Sequence, residues 1–313
     1  MAADKRAGYT LATYQTSEGP RAGVVVGEEV FDAARLTGKA AYATVMGILA
    51  DWKTAEGALK KAAAGAAKSR GKRLPLAKTK LLAPLPLPAT IFCAGANYAD
   101  HAAAMARKEG QEPPPDPHAQ GLKPWFFIKA AHTIAGPGAT IKVAGYAKEM
   151  DWEIELAAVI GRPAKDVRKE RALAYVAGYT ASNVLSARDR GRRPNVAATS
   201  FFKMDWTKHK SFDGSCPIGP WIVPASDIAD PQNLGLKLWV NDVLMQDSNT
   251  GNMLFTLAEQ IEQLSIGMTL HPGDLILTGT PAGVGAERGE FLKAGDVVKV
   301  WIEGIGAFSN RIA

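Results

Sequence analysis

Apolar and polar residues alternate in short runs along much of this chain, which is the spacing of β-strands with one buried face. The segments YTLATYQ and RAGVVVG, within residues 8–36, are rich in Thr, Tyr and Val and are separated by a Ser-Glu-Gly-Pro turn, so they predict short strands. The pattern becomes helical from Ala40 to Lys68. A basic stretch and the proline-rich LAPLPLP follow, and we therefore predict a small α+β domain over residues 1–75.

A second, larger domain is predicted over residues 76–313. A short strand at Thr90–Cys93 precedes a helix at Asn97–Lys108 and a proline-rich loop, which is either an active-site cover or an ordinary surface loop. Strand patterns then dominate in WFFIKAA, ATIKVA, DWEIELAAVIG, LGLKLWVN, DLILTG and DVVKVWIEGIG, with helices predicted only at 173–177 and 254–264. Because strands and helices do not alternate regularly, a doubly wound sheet is disfavoured, and the fold class predicted is β-rich α+β.

The composition is that of a globular protein. Of 313 residues, 47% are apolar and 22% are charged, which excludes collagen-like and intrinsically disordered chains. The longest apolar run, Leu81–Ala96, is shorter than the roughly 20 residues of a membrane-spanning helix and contains three prolines. We expect a cytoplasmic protein without a membrane partner, in which Cys93 and Cys216 are reduced and structural.

The formal net charge is +6, and much of the excess lies between Lys60 and Lys80. This stretch has no interleaved aromatic residues and follows an alanine-rich helical pattern, so we interpret it as a solvated helix end and linker and expect no nucleic-acid partner. The chain also has no phosphate-binding loop, no nucleophile elbow and no zinc-protease helix motif. Nucleotide hydrolysis, serine esterase chemistry and zinc proteolysis are therefore disfavoured.

Three acids in the segment EMDWEIELAAVI are the first candidate site residues. In a strand, the period of two puts Asp151, Glu153 and Glu155 on one face and Trp152 on the other. Adjacent carboxylates repel each other unless a cation compensates them, and clustered oxygen ligands suit Mg²⁺ or Mn²⁺ better than zinc. The alternative is a solvated strand face beside lysines.

Several other polar residues stand where chemistry is possible. His101 follows a strand and a glycine, where it is either a general base or a structural hydrogen-bond donor. Lys129 and Lys210 either bind an anion or reach the surface, and Arg188 either holds an anion or pairs with its neighbouring aspartate. The segment LTGTPAGVG offers backbone N–H groups and Thr hydroxyls to a carboxylate, or is simply a tight loop.

In their order and spacing, these segments resemble the fumarylacetoacetate hydrolase (FAH) family over about residues 80–313. The matching text is FCAGANYADHAAAM, FFIKAAHTIAGPG, DWEIELAAVIGR, GYTASNVLSARD, KSFDGSCPIGPWIV, LWVNDVLMQDSNTGNMLF and LHPGDLILTGTPAGVG followed by LKAGDVVKVWIEGIG. The resemblance implies a catalytic domain of mixed β-sheet and β-roll, commonly a homodimer, that binds Mg²⁺, Mn²⁺ or Ca²⁺. Family members cleave carbon–carbon bonds in 1,3-diketo acids, or isomerise, hydrate, dehydrate, tautomerise or decarboxylate 2-oxo acids.

The resemblance also implies roles for individual residues. Glu153 and Glu155 match the family's metal-binding carboxylates, and His101 matches its catalytic histidine, which would activate water. Lys210 would polarise the second carbonyl of the substrate. The remaining matches surround the substrate in the family: Lys129, Arg188, Gly279 and Thr280.

Two departures from the family pattern fall in the chemistry. Val184 stands where the family commonly has a third metal-binding aspartate, and Ala104 stands where many members have a glutamate that orients the histidine. Asn183, Asp189 or additional water molecules are the candidates to complete the metal shell, since Mg²⁺ normally keeps several waters. We therefore expect weak metal binding.

The function expected from the sequence is metal-assisted hydrolysis of a carbon–carbon bond in a small 1,3-diketo or 2-oxo acid. An acylpyruvate or fumarylpyruvate from aromatic-compound catabolism is the expected type of carboxylate substrate. One alternative is an isomerase, hydratase or tautomerase of 2-oxo acids, which fits Ala104 because such chemistry does not require an activated water. The other is a catalytically silent homologue that binds a small acid.

Overall fold

The computed structural model describes residues 8–66, 73–143, 145–197 and 199–313. Within them no helix is long and apolar enough to cross a membrane. Three residues of the basic stretch lie outside the described ranges, namely Lys68, Arg70 and Lys72. Cys93 and Cys216 are buried and unbonded, as predicted.

The first part of the chain forms an antiparallel sheet covered by short helices. Its strands are β1 (Thr10–Thr16), β2 (Gly19–Val26), β3 (Glu29–Asp32), β4 (Arg73–Pro75) and β5 (Leu81–Leu82). Its helices are α1 (Ala33–Thr37), α2 (Val45–Ala50) and α3 (Trp52–Ala64). The helical pattern after residue 40 therefore becomes a 3₁₀ turn and two helices, since the Thr44 side chain caps α2 and a new helix begins after Asp51.

The larger part is dominated by strands. They are β6 (Ile91–Ala94), β7 (Phe126–Lys129), β8 (Ile134–Ala135), β9 (Thr140–Ile141), β10 (Met150–Asp151), β11 (Ile154–Ile160), β12 (Val176–Asn183), β13 (Ser186–Ala187), β14 (Cys216–Pro224), β15 (Gly235–Val240), β16 (Val243–Asn249), β17 (Leu275–Leu277), β18 (Val297–Ile302) and β19 (Gly306–Ile312). The helices are α4 (Ala99–Lys108), α5 (Lys169–Ala172), α6 (Arg188–Gly191), α7 (Trp206–Lys210), α8 (Leu257–Gly267) and α9 (Gly285–Arg288).

The described strands form one large sheet, one smaller sheet and the two-stranded sheet β10-β13. In the described part of the chain the large sheet has the order β4-β3-β2-β1-β14-β12-β11-β17-β6-β7, with β5 on β1 and β8 on β14, and the smaller one has the order β16-β15-β18-β19-β9. Most pairs are antiparallel, but β6 runs parallel to β17. The β-rich, mixed architecture predicted from the sequence is thus confirmed. Because β1 pairs with β14, the first strands extend the main sheet, and a domain boundary near residue 75 stays a prediction.

Strand β11 separates two apolar cores. Ile154 and Leu156 pack into the core shared with the smaller sheet, whereas Ala157 and Val159 pack into the core beneath α2 and α3. Successive side chains of a strand point to opposite faces, so Glu155 lies on the same side as Ala157. Every residue of β11 is buried, and polar side chains at its beginning therefore need partners within the protein.

Some element predictions were wrong at their edges. The predicted helix at residues 173–177 is a 3₁₀ turn over Leu173–Tyr175, and β12 begins directly after it. The predicted helix at 254–264 is α8, which begins later because Thr256 and Glu259 form a capping box. Strands β12 and β14 lie at the centre of the large sheet and were not among the predicted strands.

Gln246 joins the two sheets at the place where the chain leaves β17. Its buried side-chain oxygen accepts from the Ile154 N–H at 3.0 Å, and its amide donates to Thr280 Oγ1 at 2.9 Å and to the Pro281 carbonyl at 2.8 Å. The Gln246 side chain thereby fixes β11 and the loop after β17 relative to each other.

Gln246→Met should lower the free energy of unfolding by about 2–4 kcal/mol, because the Ile154 N–H and the Pro281 carbonyl lose their partner inside the protein. Urea unfolding followed by circular dichroism measures the change. The matched control is Asp247→Asn at the exposed neighbouring position, which should change the free energy by less than about 0.5 kcal/mol. Equal effects of the two substitutions would contradict this role of Gln246.

Candidate active site

A cleft of about 160 Å³ opens where β6 and β17 end beside the beginning of β11. This volume is below the roughly 300–1,000 Å³ of sites for drug-sized ligands and therefore suits a small molecule. The polar lining comprises Asn97, His101, Glu153, Glu155, Arg188, His209, Lys210 and Thr280. The apolar lining includes Trp125, Phe127 and Trp206, whose rings contact one another with centroids 5.0–6.2 Å apart.

Glu153 is a buried carboxylate held by two cations. Its Oε2 accepts from Lys210 Nζ at 2.7 Å, and its Oε1 accepts from Arg188 Nη2 and from Ser186 Oγ, both at 2.7 Å. Burial alone raises the pKa of Glu153, but Lys210 and Arg188 outweigh burial and hold that pKa well below its usual range. Glu153 is therefore ionised at neutral pH.

Glu155 lies beside Glu153 without a cation of its own. Its Oε2 accepts from the Gly279 N–H at 2.7 Å, and within the described ranges it forms no ion pair. Gly279 has a positive φ of 97°, and a Cβ there would lie 2.8 Å from Asn97 Cβ, so a glycine brings this N–H to the carboxylate. Burial, together with the charge of Glu153, raises the pKa of Glu155 to about 8.

Glu153 and Glu155 meet some of the requirements of a divalent-cation site. Glu155 is 2% exposed, lines the cleft and is short of positive charge, which a hard cation would supply. The expected third ligand is absent, since Val184 is buried among apolar residues and only its N–H reaches Glu153, at the backbone carbonyl. Among the described residues no three His, Cys, Asp or Glu side chains converge on one point. Glu153 and Glu155 would hold the ion with water or substrate oxygens.

The two other candidate ligands do not line the cleft. The Asn183 side-chain oxygen accepts from the Glu153 N–H at 3.0 Å and so supports the strand. Asp189 accepts from the N–H groups of Lys148 and Glu149. The Asn183 carboxamide oxygen and the Asp189 carboxylate therefore both accept hydrogen bonds from backbone N–H groups of neighbouring segments.

Asp151, the third acid of the strand pattern, accepts hydrogen bonds from Arg188 and from the beginning of α9. It accepts from Arg188 Nε at 2.9 Å and from the N–H groups of Gly285 and Ala286 at 2.5 and 3.0 Å. The strand is interrupted at residues 152 and 153, between β10 and β11. Asp151 thereby anchors the beginning of α9 and holds Arg188 beside Glu153.

Lys129 and Gly279 lie behind the cleft rather than in its lining. The Lys129 ammonium is 1% exposed and donates to the backbone carbonyls of Leu185 and Lys210. Burial lowers the pKa of Lys129 to about 8. Lys129 therefore supports the segments that carry Arg188 and Lys210, and Gly279 supports Glu155. Their predicted contact with substrate stays a prediction.

The His101 side chain reaches the cleft from the first turn of α4. Its Nδ1 lies 2.5 Å from Oε1 of Glu287, a residue of α9 that the sequence analysis did not single out. Asp100 does not serve as this partner, because its Oδ2 accepts from Ser248 Oγ at 2.6 Å. The only sequence signal for Glu287 was its position a few residues after the glycine-rich loop.

Thr280 and His209 also line the cleft. Thr280 Oγ1 accepts from Gln246, which leaves its hydroxyl hydrogen available to an acceptor in the cleft. His209 is buried, and neither of its ring nitrogens has a hydrogen-bond partner in the described chain. Burial and the charges of Lys210 and Arg188 lower the pKa of His209 to about 3, so its ring is neutral.

Residues 90–313 match the model of the fumarylacetoacetate hydrolase C-terminal domain, more than two thirds of the chain. The chain belongs to the fumarylacetoacetate hydrolase family. The family's residues predicted at the site are thus largely brought together here: His101, Glu153, Glu155, Arg188, Lys210 and Thr280 line one cleft.

Relatives of this FAH-family chain carry out different reactions. It is 42% identical to the mitochondrial oxaloacetate tautomerase fahd2 of Xenopus laevis over 234 residues. This aligned segment covers 74% of this chain and 68% of the relative. Maleylpyruvate hydrolase from Sphingobium sp. SYK-6, solved with manganese(II) and pyruvate, is 30% identical with a TM-score of 0.72, over 96% of this chain and 98% of the other. The 2-hydroxyhepta-2,4-diene-1,7-dioate isomerase from Mycobacterium marinum is 31% identical with a TM-score of 0.70, over 97% and 98%.

Binding of Mn²⁺ at pH 7 should release about one proton per ion, because Glu155 is protonated below its pKa of about 8 and must ionise to bind a cation. The apparent affinity should rise with pH up to about 8 and then level off. Calorimetry in buffers of different ionisation enthalpy counts the protons.

Glu155→Gln should abolish both the proton release and most of the binding, whereas Glu149→Gln, at an exposed position nearby, should change neither. Proton release that survives Glu155→Gln would show that another group titrates.

Proposed function

We propose that this protein is a divalent-metal-dependent enzyme that interconverts the keto and enol forms of a small 2-oxo dicarboxylic acid, with oxaloacetate as the first substrate to test. The observation that carries the proposal is the cleft in which an unpaired buried carboxylate, Glu155, lies with Lys210 and an accessible histidine, His101. The 42% identity to an oxaloacetate tautomerase supports tautomerisation over hydrolysis.

The charges of the cleft suit a small anion. Arg188 and Lys210 line it, and the Thr280 hydroxyl adds a hydrogen-bond donor. The rings of Trp125, Phe127 and Trp206 form an apolar part of the lining, and Lys210 Nζ lies 5.4 Å from the centroid of the Phe127 ring. A dicarboxylic 2-oxo acid can place its anionic groups on the cations and its carbon chain along the aromatic rings.

Tautomerisation moves one proton between carbon and oxygen. In the direction from keto to enol, His101 accepts the proton from the carbon next to the carbonyl, the carbonyl oxygen takes a proton from water, and His101 then releases its proton to water. The Lys210 ammonium stabilises the negative charge that develops on that oxygen. An ion held by Glu153 and Glu155 would supply further positive charge to the oxygens of the 2-oxo acid.

Carbon–carbon bond hydrolysis is the second candidate function. It requires a base that activates water, and the pairing of His101 with Glu287 provides a histidine oriented by a carboxylate despite Ala104. The 30% identity to a maleylpyruvate hydrolase supports it as well. A role in aromatic-compound catabolism, a cytoplasmic location and the homodimer expected from the family stay predictions.

With Mg²⁺ or Mn²⁺, the protein should accelerate the loss of enol absorbance when enol oxaloacetate is diluted into buffer, without producing pyruvate. His101→Asn should lower kcat by about 10²–10⁴-fold with a small change in KM, since proton transfer by a positioned base contributes about that factor. The matched control is His132→Asn, an exposed histidine away from the cleft, which should retain activity.

Turnover of acylpyruvates or fumarylpyruvate to cleaved products, with oxaloacetate unchanged, would replace tautomerisation by hydrolysis. No turnover of either class with either ion would contradict both functions and leave a binding role.

A further inference from the structure

We propose that Glu287 is the positioning residue of His101 and takes the part of the carboxylate that this chain lacks at Ala104. The choice of assay rests on the proposed function, but the contact itself does not. A glutamate three residues after the histidine would lie on the same face of α4. Here a carboxylate from α9, far away in sequence, contacts Nδ1 of the imidazole instead.

The geometry fixes how the imidazole is protonated. A carboxylate only accepts hydrogen bonds, so His101 Nδ1, 2.5 Å from Glu287 Oε1, must be the donor. In the neutral ring the lone pair then lies on Nε2, and Nε2 is the atom left to exchange a proton with a ligand. Glu287 therefore keeps His101 in the tautomer that a general base needs.

Glu287 is itself held firmly enough to orient another side chain. Its second oxygen accepts from the Gly283 N–H at 2.6 Å, and its side chain is 9% exposed. The segment that carries it is fixed from both sides, because Asp151 accepts from the N–H groups of Gly285 and Ala286 and Lys108 donates to the Ala286 carbonyl. A residue so constrained does not need to be ordered when substrate binds.

The same network connects the histidine to the metal-binding carboxylates. Asp151 binds Arg188, and Arg188 binds Glu153. His101 and Glu153 are thus connected through Glu287, the backbone N–H groups at the beginning of α9, Asp151 and Arg188. An alanine at position 104 is compatible with this arrangement, since the carboxylate arrives from another element.

Glu287→Gln provides the central test. If the Gln oxygen keeps the Gly283 N–H, its amide group donates to Nδ1 and forces the proton onto Nε2. We expect kcat to fall by about 10²-fold or more with KM changed less than threefold, as expected when an orienting carboxylate of a catalytic histidine is lost. The matched control is Glu290→Gln at an exposed position of the same segment, which should leave both constants unchanged.

A ¹⁵N nuclear magnetic resonance spectrum distinguishes positioning from a purely structural role. At a pH where the ring is neutral, the wild-type His101 should show a protonated Nδ1, and Glu287→Gln should show a protonated Nε2. This readout needs no turnover, so it also tests Glu287 if the wild-type protein proves inactive on every substrate, which would contradict the proposed function alone.

A double variant tests whether a carboxylate at position 104 of α4 can replace the one lost from Glu287. In the double variant Ala104→Glu, Glu287→Gln, a carboxylate returns at the α4 position, and at least tenfold of the lost kcat should be recovered. Activity of Glu287→Gln within threefold of wild type, or an unchanged tautomer in that variant, would overturn the proposal. A lowered melting temperature with an unchanged tautomer would likewise assign Glu287 a structural role.

Discussion

The site depends on one constraint, which is that its buried acids and its buried cations are not paired one to one. Around the beginning of β11 three acids meet three cations, but Arg188 and Lys210 serve Asp151 and Glu153, while Lys129 donates to backbone carbonyls. Glu155 is left with a single backbone N–H and a raised pKa. A buried carboxylate in this state is stabilised by any cation that enters the cleft, so the protein's own charge arrangement prepares a site for one.

The fold explains why these groups cannot separate. Strand β11 is buried on both faces and carries Glu155 between two apolar cores, so the carboxylate cannot turn toward bulk water without disrupting the sheet. Gln246 fixes the loop after β17, which supplies both the Gly279 N–H and the Thr280 hydroxyl. The same loop continues into α9, and in this way the segment that completes the carboxylate environment also delivers Glu287 to His101.

Much of the site could be predicted from the sequence, because the order and spacing of its motifs resemble those of the fumarylacetoacetate hydrolase family. The strand period held in part, since Trp152 lies in the apolar core as expected but the strand is interrupted at residues 152 and 153. Strands β12 and β14 were missed, since GYTASN is rich in small residues and CPIGPWIVP contains three prolines, which are rare in central strands. The contact of Glu287 with His101 spans 186 positions and leaves no periodic signal, and Lys129 gives no sign that it serves backbone carbonyls.

The most direct test of the charge arrangement is anomalous diffraction from crystals soaked with Mn²⁺ and oxalate, a mimic of the enol form of a 2-oxo acid. A single strong peak about 2.0–2.3 Å from carboxylate oxygens of both Glu153 and Glu155, with oxalate in the cleft, is the predicted result. A peak elsewhere, or none at millimolar Mn²⁺ while oxalate is bound, would show that Lys210 and Arg188 already satisfy the site. The raised pKa of Glu155 would then have another purpose than metal binding.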